Sequence, residues 1–183
     1  MTTMVRAVVA PALIGRDDQL AELHAAYSRV AAGHSEVILL GGEAGIGKTT
    51  LVENFATSVS GRAAGRDTGR DAEGAARVLT GQCVELGGEG LPYVPVTAAI
   101  RDLLRQVGQD EICTWIGAGT DALAELVPEL GGTAQPDPFG RTRLFEVVTT
   151  LLERASEGQP LVLVLEDLHW ADTSSRDLLQ FVF

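Results

Sequence analysis

The residues best suited to chemistry form the glycine-rich stretch 42–49, which reads Gly-Glu-Ala-Gly-Ile-Gly-Lys-Thr. Glycines allow backbone conformations closed to other residues, so that successive N–H groups can point inward at phosphate oxygens. In such a loop Lys48 reaches the terminal phosphates of a nucleotide, and the hydroxyl of Thr49 binds Mg²⁺. Lys48 is also the only lysine of the chain, which otherwise carries thirteen arginines. We therefore predict a nucleotide-binding loop that consists of Gly42, Glu43, Ala44, Gly45, Ile46, Gly47, Lys48, Thr49 and Thr50.

Two elements must position this loop. The apolar run 37–40, Val-Ile-Leu-Leu, predicts a buried strand over about 36–41. The stretch that begins at Thr50 predicts a helix to about residue 59, whose N-terminus adds a positive dipole end. A glycine-rich turn formed by chance is the alternative, and the flanking strand and helix argue against it.

A second chemical group, the carboxylate pair Glu166 and Asp167, follows the run 161–165, which is apolar at every position. Such a run predicts a strand of a parallel sheet that is buried on both faces. Two carboxylates at its end are costly unless they meet a cation or water, and ligands bind at the carboxyl ends of such strands. We therefore predict Glu166 and Asp167 as catalytic residues that act beside the loop. A solvated charge pair is the alternative.

Several residues near these two groups allow a structural interpretation. We expect Asp172, rather than Thr173, to cap the helix that follows the acidic pair. His169 would either sense a phosphate or make a structural hydrogen bond, and we favour the second. Cys83 is interpreted as a small buried residue rather than a nucleophile. Trp115 is interpreted as a core or interface aromatic residue.

Strands alternate with amphipathic helices along the chain, which predicts a three-layer α/β fold with a parallel sheet and helices on both faces. A second strand is predicted over 77–83, and helices over 20–30, 96–107 and 144–152, with two short helices between 110 and 130. Residues 1–12 are expected to form a leader, and residues 61–76 a flexible surface loop. The turn at Gly15 and Arg16 either lines an adenine pocket or only starts a helix that packs on the sheet.

Composition excludes several classes of protein. The net charge of −11 and the pI near 4.6 argue against direct nucleic-acid binding by this segment. Cys83 and Cys113 have neither zinc-ligand spacing nor the pattern of a disulfide framework, which favours a reducing, cytoplasmic setting. No stretch approaches the roughly 20 apolar residues that a membrane span needs.

Five motifs occur together in a fixed order. They are Leu13-Ile14-Gly15-Arg16, the loop 42–49, Gly81-Gln82-Cys83, Leu91-Pro92-Tyr93-Val94-Pro95, and Leu165-Glu166-Asp167-Leu168-His169-Trp170-Ala171-Asp172. With these motifs in this order, residues 13–183 resemble the ATPase domain of large bacterial LuxR-type transcriptional regulators. Those regulators belong to the STAND class of AAA-like ATPases. Related modules also occur beside cyclase and protein-kinase domains.

The resemblance implies ATP or ADP with Mg²⁺ as cofactors. Lys48 would bind the β- and γ-phosphates, Thr49 would bind the magnesium ion, and the turn at Gly15 and Arg16 would approach adenine. Glu166 matches the magnesium-associated acid of the family, which is usually Asp, and Asp167 matches the acid that activates water. Because Glu166 is one methylene longer than Asp, the division of roles between the two stays open.

The resemblance also implies parts that this chain lacks. In the family a later strand with a polar sensor residue lies between the two strands that carry the loop and the acidic pair. We expect that strand, a helical lid and a DNA-binding helix-turn-helix to follow the residues up to Phe183 in a longer protein. We therefore expect a C-terminally incomplete domain whose partners are ATP, the missing domains and, at full length, further copies of itself.

Two functions are consistent with these residues. In the first, bound ATP or ADP acts as a regulatory switch, with slow hydrolysis as the reset. In the second, the domain is a turnover ATPase, or the ATPase module of a cyclase or kinase signalling enzyme. A non-catalytic module is disfavoured because Lys48 and Thr49 are both present. This chain alone is expected to hydrolyse ATP weakly at best.

Overall fold

The computed structural model describes residues 15–60, 75–85, 91–132 and 139–183. The chain divides into two compact units, Met1–Ala76 and Arg77–Phe183. The expected leader at 1–12 and nearly all of the expected loop at 61–76 lie outside the described residues. No helix in the described parts of the chain is both long and apolar enough to span a bilayer.

The first unit is built on two helices, α1 (Asp17–Ala31) and α2 (Lys48–Val59). Leu51, Phe55 and Val59 recur at four-residue spacing along α2, which places them on one helix face, and all three are buried. The rings of His24 and Tyr27 on α1 meet the Phe55 ring edge-on, with centroids 5.4 and 6.4 Å apart. The prediction of a helix directly after the loop is therefore confirmed.

The strand predicted over 36–41 is not formed, so that prediction was wrong. Residues 34–43 have no regular secondary structure, and Val37 and Leu39 are 62% and 82% exposed. A strand requires hydrogen bonds to a neighbouring strand, and the described part of the first unit contains no other strand. The segment is instead anchored at its start by an ion pair in which Arg29 Nε lies 2.6 Å from Glu36 Oε1.

The second unit contains a parallel two-stranded sheet of β1 (Arg77–Gln82) and β2 (Leu161–Glu166). The register pairs Arg77 with Leu161 and Gln82 with Glu166, so that both strands end side by side. Both strands were predicted, and the α/β class is confirmed. The described residues contain these two strands only, not the full predicted sheet.

The prediction that β2 is buried on both faces was wrong, since all six of its residues are half-buried. Its alternate residues Leu161 and Leu163 pack against the core of the unit. Val162 and Val164, which point to the opposite face, are not part of that core. An apolar run shows that residues avoid water, but it does not show how many layers cover them.

The described residues of the second unit form five helices, in the predicted order. Gly108 ends the first of them, as expected, and a 3₁₀ turn at Gly117–Gly119 separates the next two. Pro128 opens a further turn, Pro128–Leu130, after the preceding helix has already ended. The helices are α3 (Val94–Val107), α4 (Gln109–Ile116), α5 (Thr120–Ala124), α6 (Gly140–Ser156) and α7 (Thr173–Val182).

The core of the second unit lies where α3, α6 and α7 meet the sheet. Its fully buried leucines include Leu103 of α3, Leu151 of α6 and Leu178 of α7. Burying each such side chain contributes about 2 kcal/mol. Trp115 is partly buried against this core, which agrees with its interpretation, and the guanidinium of Arg77 lies 5.5 Å from its ring centroid.

The outer edge of β1 is bonded by side chains of α3. The backbone N–H of Thr80 donates to Asp102 Oδ2 (3.3 Å), and Gln106 Nε2 donates to the carbonyl of Val78 (2.8 Å). These bonds satisfy backbone groups that an edge strand would otherwise expose. They also fix β1, and with it Gln82 at its end, against α3.

Candidate functional site

The glycine-rich loop has the backbone shape that a phosphate site needs. Gly42, Gly45 and Gly47 have φ values of +151°, +80° and +85°, a region that other residues rarely adopt. Gly47 is the N-cap of α2 and has no side chain to bond the first N–H groups of that helix. The first turn of α2 also carries no acidic residue. The positive end of the helix dipole is therefore available to an anion.

Lys48 turns back over the same loop. Its Nζ donates to the carbonyls of Gly42 and Glu43, each at 2.8 Å. An ammonium group has three N–H donors, so these two bonds leave one for a further acceptor. The loop therefore combines backbone N–H groups and a lysine charge within one short segment.

Arg16 lies against the loop as well. Its guanidinium Nη2 donates to the carbonyl of Ile46, 30 residues further along the chain. The turn before α1 is made by Gly15, whose φ is +77°. The structure thus brings Arg16 to the phosphate loop, which sequence spacing could not show. Contact with adenine stays a prediction.

The acidic pair lies at the end of β2. Glu166 is the last, half-buried residue of the strand, and Asp167 follows it with an exposed side chain. Asp167 has a φ of +56°, in the left-handed region, which costs a non-glycine residue about 1 kcal/mol or more. Gln82 Nε2 donates to Asp167 Oδ2 (3.1 Å) and so orients that carboxylate.

Sequence reasoning missed the role of Gln82. The signal that would have revealed it is the register of the sheet, because Gln82 pairs with Glu166 at the common end of both strands. The N–H of Cys83 donates to the carbonyl of Glu166 (3.0 Å) and prolongs this pairing by one residue. The end of β1 therefore holds the acidic pair through both its backbone and its side chain.

Cys83 and His169 lie near the acidic pair. Cys83 is 3% exposed, and burial, together with the carboxylates of Asp172 and Asp167, raises the pKa of its thiol. The burial of Cys83 is therefore confirmed, and the raised pKa agrees with its interpretation as a structural residue, since the thiolate is the reactive form. The exposed His169 ring lies 4.9 Å from that of Trp170, and its role stays a prediction.

Asp172 caps α7, as predicted. Its Oδ1 accepts from the N–H of Ser175 (3.0 Å), and its Oδ2 accepts from the Ser175 hydroxyl. Oδ2 also accepts from the N–H of Tyr93 (3.2 Å), a contact that the sequence did not reveal. Burial raises the pKa of Asp172, but the hydrogen bonds from Ser175 and Tyr93 outweigh it and hold the pKa below the ordinary value.

Two of the predicted magnesium ligands, Thr49 and Glu166, carry side-chain oxygens. The Thr49 hydroxyl and the Glu166 carboxylate are hard oxygen donors of the kind that Mg²⁺ prefers. Among the described residues no group of three or more His, Cys, Asp or Glu side chains could hold a metal ion. Mg²⁺ at nucleotide sites is commonly bound by one or two protein oxygens together with phosphates and water. The residues present therefore suit that kind of site.

Comparison with known proteins identifies the family. An uncharacterized protein of Rhizobium meliloti (strain 1021) is 27% identical to the chain over 175 residues, which cover 91% of this chain and 16% of that protein. The chain thus spans a small part of that relative's length. No solved structure shows significant similarity to the chain. A family model described as the AAA ATPase domain matches residues 12–183. Because this match covers nearly the whole sequence, the chain belongs to the AAA ATPase domain family.

Proposed function

We propose that the chain is an ATP- and Mg²⁺-binding switch module of a larger, LuxR-type transcriptional regulator. The observation that carries the proposal is the loop 42–49, with its three positive-φ glycines and with Lys48 at the start of α2. Membership of the AAA ATPase domain family supports nucleotide binding. In this proposal the domain is completed into a three-layer phosphate-loop fold with helices on both faces.

Each site residue has a proposed task. Lys48 binds the β- and γ-phosphates, and the backbone N–H groups of residues 42–50 surround them. Thr49 and Glu166 hold Mg²⁺, the latter partly through water. Asp167 polarises the attacking water. The orientation of Asp167 by Gln82 supports its assignment as the carboxylate that polarises the water.

The bound nucleotide would act as a switch, because contacts to the γ-phosphate favour one of two conformations. Slow hydrolysis would return the module to its other state. The partners would be the remaining domains of the same protein and, at full length, further copies of it. Because the net charge of this segment is negative, DNA binding is proposed for other domains. The proposed location of the protein is the cytoplasm.

The decisive experiment compares nucleotide retention with turnover. Protein loaded with radiolabelled Mg·ATP is filtered to remove free nucleotide, and bound ATP, bound ADP and released ADP are followed over time. We expect hydrolysis well below about 1 s⁻¹, the lower end of the range typical of enzymes, with ADP retained afterwards. Rapid multiple turnover with fast exchange would instead identify a turnover ATPase and overturn the switch.

Two matched variants test the assignment of the acids in the same assay. Asp167→Asn should retain bound ATP and lose hydrolysis, because the amide cannot accept a proton from water. Glu166→Gln should lower the affinity for Mg²⁺ by a larger factor than it lowers the rate of hydrolysis at saturating Mg²⁺. If Glu166→Gln alone abolished hydrolysis, the roles of the two carboxylates would be exchanged.

A further inference from the structure

The turn after β2 is held at both of its ends. Residues 167–172 begin with Asp167, whose carboxylate accepts from Gln82 Nε2 at 3.1 Å. They end with Asp172, whose Oδ2 accepts from the backbone N–H of Tyr93 at 3.2 Å. The two donors lie 85 and 79 residues earlier in the chain. Gln82 ends β1 and Tyr93 directly precedes α3, so the end of β1 and the start of α3 each hold one end of the acidic turn.

Asp172 makes more contacts than a helix cap requires. One oxygen that accepts from a backbone N–H of the first turn is sufficient for capping, and Oδ1 meets this need at Ser175. Oδ2 is then available to bind Tyr93. The Ser175 hydroxyl also donates to Oδ2. Because Ser175 is fully buried, this second bond fixes the orientation of the carboxylate towards Tyr93.

Each of these two hydrogen bonds involves one residue with an unusual backbone conformation. Tyr93 (φ +63°) and Asp167 (φ +56°) are the only non-glycine residues with positive φ in the described parts of the chain. A bulky side chain adopts this conformation only where the surroundings enforce it. The Tyr93 ring packs edge-on against Phe145 of α6, with centroids 6.3 Å apart. Ring packing and the bond to Asp172 therefore hold Tyr93 from two sides.

We propose that Asp172 is a positioning residue that holds the acidic turn in place by binding the backbone of Tyr93. It does not touch the nucleotide, and it acts through the placement of Asp167. The proposal rests on the proposed function, in which Asp167 polarises the water that attacks ATP. It also gives the Leu-Pro-Tyr-Val-Pro segment a task, since movement of Tyr93 would be transmitted to the acidic turn.

Asp172→Asn separates this role from helix capping. Asn caps helices about as well as Asp, so its single oxygen can still accept from the Ser175 N–H. Its NH₂ group, in the place of Oδ2, can donate to the Ser175 hydroxyl but cannot accept from Tyr93. The variant therefore removes only the bond to Tyr93. Asp177→Asn is the matched control, since it neutralises another carboxylate of α7, one that pairs with Arg141.

The test combines amide hydrogen exchange with single-turnover hydrolysis of Mg·ATP by the full-length protein, since this chain alone is expected to hydrolyse ATP weakly at best. For Asp172→Asn we expect the Tyr93 amide to exchange at least about tenfold faster and hydrolysis to slow about tenfold, because a hydrogen bond to a charged acceptor is lost. The affinity for Mg·ATP should change less than about twofold, because this bond lies outside the phosphate loop. Asp177→Asn should change none of the three. If Asp172→Asn does not fold, Asp172→Ser, which keeps a capping oxygen, replaces it.

Each outcome decides the proposal. Faster exchange at Tyr93 with unchanged hydrolysis would overturn the positioning role and leave only a structural bond. Unchanged exchange would show that the bond to Tyr93 is not formed. A full-length wild-type protein that neither binds nor hydrolyses ATP would refute the proposed function, and the positioning role with it. That failure is recognisable because it concerns the wild type and not the variant.

Discussion

The close approach of α3 to β1 makes Gly81→Ala the most quantitative prediction. A Cβ at position 81 would lie 2.0 Å from the carbonyl oxygen of Pro95 and 2.8 Å from its carbonyl carbon. It would also lie 3.0 Å from a methyl carbon of Leu165. Real Cβ atoms essentially never come within 3.0 Å of such atoms. Because the obstacle is backbone, relief requires movement of the first turn of α3 away from the sheet.

The expected loss of stability follows from that overlap. Inserting one carbon into a packed core costs about 1–3 kcal/mol, and an overlap of more than 1 Å with backbone places Gly81→Ala near 3 kcal/mol. Such a loss lowers the ratio of folded to unfolded protein by about 100-fold. With a urea dependence of about 2 kcal/mol/M, the unfolding midpoint would fall by about 1.5 M.

The assay is urea unfolding followed by tryptophan fluorescence, since both tryptophans, Trp115 and Trp170, belong to the second unit. Thr80→Ala is the control, because it introduces the same residue one position earlier, on the opposite and exposed face of β1. That variant should lose less than about 1 kcal/mol. A Gly81→Ala midpoint within 0.3 M of the control, roughly 0.6 kcal/mol on the same scale, would refute the close approach.

Three further predictions concern the two sites. Arg16→Ala removes an exposed hydrogen bond to the loop worth about 1 kcal/mol, so the affinity for Mg·ATP should fall about fivefold in a fluorescence titration; unchanged affinity would contradict a role for the contact. The burial and raised pKa of Cys83 predict that iodoacetamide at pH 8 modifies Cys113 at least about tenfold faster than Cys83, as followed by mass spectrometry. Equal rates for the two cysteines would show that Cys83 is accessible. The lowered pKa of Asp172 means that its contribution to stability is present at neutral pH and is lost as the pH falls below about 4 through its folded-state pKa. Acid unfolding of Asp172→Asn should therefore be less steep than that of the wild type, and identical curves would contradict the assignment.

Local sequence signals predicted most of the helices and both strands of the second unit. The glycines and Lys48 placed the loop and the helix after it, because glycine conformation depends on a few neighbouring residues, although α2 begins two residues before the predicted Thr50. Asp172 was predicted as a cap because helix capping also depends on a few neighbouring residues. The end of β2 at Glu166 followed from the change from apolar to charged residues.

Contacts between distant residues could not be predicted. The bonds from Arg16 to Ile46 and from Gln82 to Asp167 join residues 30 and 85 positions apart, and spacing along the chain says nothing about them. The same limit explains the error at Val37 and Leu39. Their hydrophobicity indicated burial, but strand formation depends on a neighbour that no local pattern specifies.

The central claim is that the loop 42–49 holds the phosphates of ATP, and its most direct test is equilibrium binding of Mg·ATP to the wild type and to Lys48→Ala. The account predicts that the wild type binds and that Lys48→Ala loses about 10- to 100-fold in affinity, because a charged hydrogen-bond donor to the phosphates is removed. Lys48→Arg, which keeps the charge but not the compact ammonium group, should bind with intermediate affinity. Equal affinity of the wild type and Lys48→Ala for Mg·ATP would contradict the assignment of the phosphate loop.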